Sequence, residues 1–78
     1  MPEKYHITNN IRTLRFFASE MTQQELAEKV GASRQTIVAI EANKYSPSLE
    51  LAFKIALAFQ VSISEVFSYD LENTNKEK

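Results

Sequence analysis

The 78-residue chain has no cysteine, no tryptophan and a single glycine. Without thiols it can build neither a disulfide framework nor a thiolate metal site, so packing alone must hold it together. Its one histidine, His6, lacks the companion ligands that a metal needs and reads as structural or exposed. No apolar run approaches the roughly 20 residues that span a bilayer, and the start MPEKYHIT lacks the hydrophobic region of a signal peptide. A cytoplasmic protein with no membrane partner is the expectation. Paired carboxylates in an evident cleft and a glycine-rich phosphate loop are missing too, which removes the usual enzyme constellations and any obvious cofactor or small-molecule site.

Excess positive charge is also lacking. Nine Lys and Arg face ten Asp and Glu, for a net charge of −1. That balance argues against a nucleic-acid binder, which is usually basic. The distribution is uneven, however: residues 1–46 carry six basic against five acidic side chains, and residues 47–78 carry three against five. A chain this short forms one domain with a modest core, and a second subunit would add to its stability.

The informative segment is TQQELAEKVGASRQTIVAIEANKY, Thr22 to Tyr45, in which the only glycine separates two short amphipathic patterns. Gly31 reads as a corner, because glycine takes positive φ without a Cβ clash. Thr22 and Glu25 have the spacing of a capping box, so a helix is expected from Gln23, with Leu26, Ala27 and Val30 on its inner face. Ser33 is a second N-cap; Ile37 and Ile40 then face inward, while Arg34, Gln35, Thr36 and Ala39 fall mostly outward.

On either side the pattern remains helical. Residues 4–8 alternate and read as a short strand; Asn9 or Asn10 then caps a helix of about ten residues whose core stripe is Ile11, Leu14 and Phe17. Arg12 and Arg15 share another face. Lys44 to Pro47 must be a loop, since the residue before a proline is pushed out of the helical region. Ser48 caps a fourth helix, apolar on most sides from Leu49 to Phe59 and therefore expected to be the most buried. Ser62 and Glu65 start a short fifth helix, and SYDL follows as a candidate strand. The polar stretch 73–78 reads as a disordered tail beyond a domain spanning 1–72. Phe16, Phe53 and Tyr69 fit either a core or a subunit interface.

This arrangement resembles the Cro/C1-type, or XRE, family of helix-turn-helix regulators. Counted from Gln23, Ala27, Gly31, Ile37 and Ile40 fall where that family has alanine, glycine and two aliphatics, and the likeness runs from about Ile11 to Phe67. It is greatest to small single-domain members with an N-K-Y-x-P-S-L loop. The resemblance implies an all-α, five-helix, lambda-repressor-like fold with the motif at about 23–42, and it suggests that SYDL pairs with Tyr5–Ile7. It also implies an ion pair between Arg15 and Glu41. One departure lies between Leu14-Arg15 and Thr22-Gln23, where six residues, FFASEM, stand in place of the family's usual five.

The resemblance further implies that the helix after Gly31 enters the major groove of double-stranded DNA, with Arg34, Gln35, Thr36 and Ala39 toward the bases. An arginine fork suits guanine O6 and N7, a glutamine amide suits adenine, and a threonine methyl suits thymine. Gln23, Ser33, Asn43, Lys44, Tyr45 and Ser46 are the expected backbone contacts. A single subunit reads few base pairs, so a homodimer on a palindromic operator is expected, with Phe59, Val66 and Phe67 as interface candidates. Repression by blocking polymerase is the simplest mode of action. The competing reading is an antitoxin or other protein-interaction module that uses this fold to mask a partner.

Overall fold

Four hydroxyl side chains and one glycine divide the chain into its helices. The computed structural model describes residues 5–71. Their order is β1 (Tyr5–Asn9), α1 (Ile11–Phe17), α2 (Gln23–Val30), α3 (Arg34–Glu41), α4 (Leu49–Phe59), α5 (Ile63–Val66) and β2 (Phe67–Leu71). The expected tail at 73–78 and the outermost residues of the expected domain lie outside the described residues.

Each cap acts locally. Thr22 and Glu25 form a reciprocal box: the Glu25 amide donates to Thr22 Oγ1 at 3.0 Å and the Thr22 amide to Glu25 Oε1 at 2.8 Å. Ser33 and Ser48 accept the amides of Thr36 and Leu51, each at 3.1 Å. At α5 the Ser62 hydroxyl donates to Glu65 Oε2 at 3.1 Å. The amide bonds satisfy donors that a helix N-terminus otherwise leaves unpaired. Gly31 ends α2 at φ 73°, in the left-handed region, and the Ala32 amide returns to Ala27 O at 3.0 Å. At α1 the neighbouring asparagine takes over, since Asn9 Oδ1, not Asn10, accepts the Ile11 amide, at 3.0 Å.

The core is small and drawn from every helix. Ile11, Leu26, Ala27, Val30, Ile37, Ile40, Ile55, Ala56 and Val66 pack into one cluster. The two ends of the described chain are joined by antiparallel pairing of β1 with β2, Ile7 opposite Tyr69, and by the Asn10 amide on Val66 O at 2.8 Å. Tyr5 stacks on Tyr69 with ring centroids 5.3 Å apart.

Three expectations need correction. Phe17 is not core: it is 77% exposed and meets Phe16 edge-on, with centroids 5.2 Å apart. At about 100° per residue, Phe17 lies far around the helix from Ile11, whereas Ala18 completes the stripe of Ile11 and Leu14; Ala18 is half-buried. Helix α4 is not buried all round. It buries Ala52, Ile55 and Ala56 against α2 and α5, and exposes Leu49, Phe53 and Leu57 as a row along its outer side. Finally Val66, expected at a subunit interface, is 1% exposed and belongs to the core. Val66 is the one residue of the one-turn α5 that is fully buried, and it packs within the core cluster.

Backbone conformation gives a test of this anatomy. Gln60 caps α4 at φ 60°, a left-handed position where glycine is strain-free. Gln60→Gly should stabilise the protein by about 1 kcal/mol, which is a rise in Tm of about 4–8 °C. An added Cβ at Gly31 meets nothing within 4 Å, so Gly31→Ala should cost only the φ strain, about 1–2 kcal/mol. Thermal melts of the two variants should move in opposite directions; a shared direction would refute the assignment.

Candidate nucleic-acid interface

Helix α3 is anchored by its inner side and displayed by its outer one. Ile37 and Ile40 are fully buried. Arg34 and Gln35 stand exposed in its first turn, and Thr36 and Ala39 are half-buried. The Thr36 hydroxyl lies 2.9 Å from the Ser33 hydroxyl, so both are engaged in the cap and Thr36 offers chiefly its methyl. Val38, exposed one turn beyond Arg34, joins this face. The sequence pattern hides it, because a valine between two isoleucines resembles core; only its angular offset from Ile37 and Ile40 gives it away.

The far end of α3 is held by an ion pair. Arg15 Nε lies 2.6 Å and its Nη2 3.1 Å from the two carboxylate oxygens of Glu41. The same guanidinium donates through Nη1 to Met21 O at 2.8 Å, and Gln23 Nε2 donates to Glu41 Oε1 at 3.3 Å. The two charged side chains are only 16% and 10% exposed, so solvent screens the pair weakly. Helix α1, the loop after it, the first residue of α2 and the last of α3 thus meet at one site. Gln23, expected at the DNA backbone, is half-buried and oriented by Glu41.

The loop after α3 is pinned as well. The Asn43 amide closes on Ile40 O at 3.0 Å and the Lys44 amide on Ala39 O at 2.9 Å. Asn43 takes φ 61°, a conformation that asparagine tolerates. Asn9 Nδ2 lies 2.9 Å from both Ile40 O and Asn43 Oδ1, so β1 braces the end of α3. Lys44, Tyr45 and Ser46 are exposed on this fixed loop, and Ser33 is exposed at the other end of α3.

Of the remaining interface candidates, Phe59 and Phe67 are half-buried. Phe67 lies in an open, largely apolar groove with Ile7, Pro47, Leu49, Ile63 and Tyr69. The groove joins β1, β2, α4 and α5, a meeting of distant segments that no local pattern discloses. Among the described residues no group of His, Cys, Asp or Glu is placed to hold a metal ion, and no helix is long and apolar enough to cross a membrane.

The sequence profile of a helix-turn-helix family matches residues 11–66. An uncharacterized HTH-type transcriptional regulator of Methanocaldococcus jannaschii is 60% identical over 50 residues, covering 64% of this chain and 76% of that one. The uncharacterized HTH-type transcriptional regulator YgzD of Bacillus subtilis is 48% identical over 52 residues, covering 67% and 79%. Among solved structures, a candidate DNA-binding protein of Bacteroides fragilis superposes with a TM-score of 0.69 at 29% identity, over 80% of this chain and 98% of the other.

If the Arg15–Glu41 contact holds α3 in place, Glu41→Ala should be costly, because it strands a half-buried guanidinium and removes the acceptor for Gln23. The expected loss is about 2 kcal/mol, between the values for an exposed and a buried pair. A double Arg15→Leu, Glu41→Leu variant should recover much of that loss, since no half-buried charge is left unpaired. Denaturant titrations decide it: a Glu41→Ala loss under about 1 kcal/mol would make the pair an ordinary surface contact.

Proposed function

The chain belongs to the XRE, or Cro/C1-type, helix-turn-helix family, and from that premise we propose that this DNA-binding transcription regulator is a repressor that binds a near-palindromic operator as a homodimer. The supporting observation is the pair Arg34 and Gln35, exposed side by side at the start of a helix that buried isoleucines and the Arg15–Glu41 contact hold from behind. Two long polar side chains with bidentate geometry, at the N-terminal end of the second motif helix, suit the base edges of a major groove. Arg34 would read guanine and Gln35 adenine. The Thr36 methyl, Ala39 and Val38 would supply apolar contact, suited to thymine methyls.

Backbone contacts in this reading come from both sides of α3. Gln23 and Ser33 lie on one side; Asn43, Lys44, Tyr45 and Ser46 lie on the other. Most are neutral, which suits a chain of net charge −1: hydroxyls, amides and backbone N–H groups also bind phosphate. Such contacts set register on the duplex, while Arg34 and Gln35 discriminate.

The second subunit would occupy the groove of Ile7, Leu49, Ile63, Phe67 and Tyr69. Leu49 is 70% and Tyr69 69% exposed, an apolar area that a small domain with so thin a core gains by covering. In place of the expected set of Phe59, Val66 and Phe67, the dimer surface keeps Phe67 and gains the residues around it. Two α3 helices related by a two-fold axis would then meet half-sites about one helical turn, 34–36 Å, apart. A bound dimer covering a promoter excludes polymerase.

Two experiments test this. In salt-titrated binding to promoter DNA of its own locus, Arg34→Ala and Gln35→Ala should each lose about 1–3 kcal/mol of discrimination per half-site. Equal binding by all three proteins without sequence preference would overturn the assignment of α3. In sedimentation the parent should be dimeric and Leu49→Glu monomeric, with a melt lowered to that of the uncovered subunit; a Leu49→Glu dimer would move the interface elsewhere.

A further inference from the structure

We propose that Arg12, on α1, grips a DNA backbone phosphate at the cleft between α1 and the start of α2. The proposal rests on the DNA-binding reading above and adds a residue to it. Six lysines and arginines lie among the described residues: Arg12, Arg15, Lys29, Arg34, Lys44 and Lys54. Two are neutralised, Arg15 by Glu41 and Lys54 by Glu50. Of the four that make no ion pair among the described residues, Lys29 sits toward the far end of α2, whereas Arg34 opens α3 and Lys44 follows it. Arg12 is the fourth, and it lines one open cleft together with Arg34 and Gln23.

Three cations without an ion-pair partner among the described residues thus surround α3 in a chain whose net charge is −1. Two carboxylates also border the cleft, Glu20 and Glu41. Glu41 is already neutralised by Arg15 and receives Gln23, so its field on an incoming anion is largely cancelled. Glu20 is exposed and forms no ion pair among the described residues, leaving the Arg12 guanidinium uncommitted. Arg12 lies one turn before Arg15 on α1, and residues three apart on a helix are neighbours. The contact that locks Arg15 to the end of α3 therefore also fixes the offset of Arg12 from the recognition helix. An arginine fork takes two phosphate oxygens at once, and Arg12 stands exposed at the cleft, open to such a contact.

The test is a salt series of DNA binding for the parent, Arg12→Ala, Arg12→Gln and Arg12→Lys, on operator and on unrelated duplex, with thermal melts alongside. A phosphate contact carries no sequence information, so Arg12→Ala and Arg12→Gln should weaken both duplexes by the same factor. The slope of log K against log salt should become shallower by about 0.9 for each phosphate no longer neutralised. Arg12→Lys should restore most of the slope, and the melts should not move. If the alanine and glutamine variants keep the parental slope, or if they weaken only one sequence, Arg12 does not hold a phosphate and the proposal falls while the DNA-binding reading stands. If the parent shows no DNA binding, that underlying reading falls and the proposal with it.

Discussion

The contact between Arg15 and Glu41 is the constraint on which the display of α3 depends. It lies where α1, α2 and α3 converge, and each nitrogen of the guanidinium and each oxygen of the carboxylate finds a partner: both carboxylate oxygens take the guanidinium, Met21 O takes a further N–H, and Gln23 joins Glu41. Its net contribution to stability need not be large, because desolvating two charges offsets most of their attraction. Its geometric consequence is larger. A bidentate pair tolerates little rotation, so the end of α3 is held against α1 while Ile37 and Ile40 hold its inner face against the core. The exposed first turn of α3 is left as the free, rigidly aimed part of the helix.

That arrangement explains how a weakly acidic protein can serve as a DNA-binding regulator. Its acidic excess lies after residue 46, and the carboxylate at the end of α3 is cancelled within the fold. Cations without intramolecular partners among the described residues are left near α3. Charge placement, more than net charge, governs the field that a phosphate meets at close range, because salt screens the rest beyond about 10 Å. The same economy appears in the core, where one thin cluster serves five helices and an apolar groove stays open on the side of the β-pair.

Much of this is legible in the sequence wherever the cause is local. Thr22 with Glu25, Ser33 and Ser48 announce helix starts because capping is a matter of residues three apart. Gly31 announces the corner because its φ needs no tertiary explanation. Leu26, Ala27, Val30, Ile37 and Ile40 follow from periodicity within single helices. The ion pair and the pairing of β1 with β2 join residues far apart in sequence, so they entered only through the family likeness, and the structure contains both. Phe17 departs from expectation through its angular place on α1, and the outer row of α4 through the placing of its neighbours. Hydrophobicity tells that a side chain favours burial, but which side of a helix has a neighbour is decided by the other elements. With α2 and α5 covering only one side of α4, Leu49, Phe53 and Leu57 stay outside.

Methylation interference on operator DNA decides whether α3 reads a major groove from two symmetric positions. Methylation of guanine N7 marks the major groove, and methylation of adenine N3 marks the minor groove. Interference is expected from guanine N7 in two patches about one helical turn apart, with loss of that interference at the guanine read by Arg34 when Arg34→Ala is used. Interference confined to adenine N3, or a pattern unchanged in Arg34→Ala, would contradict major-groove reading by α3.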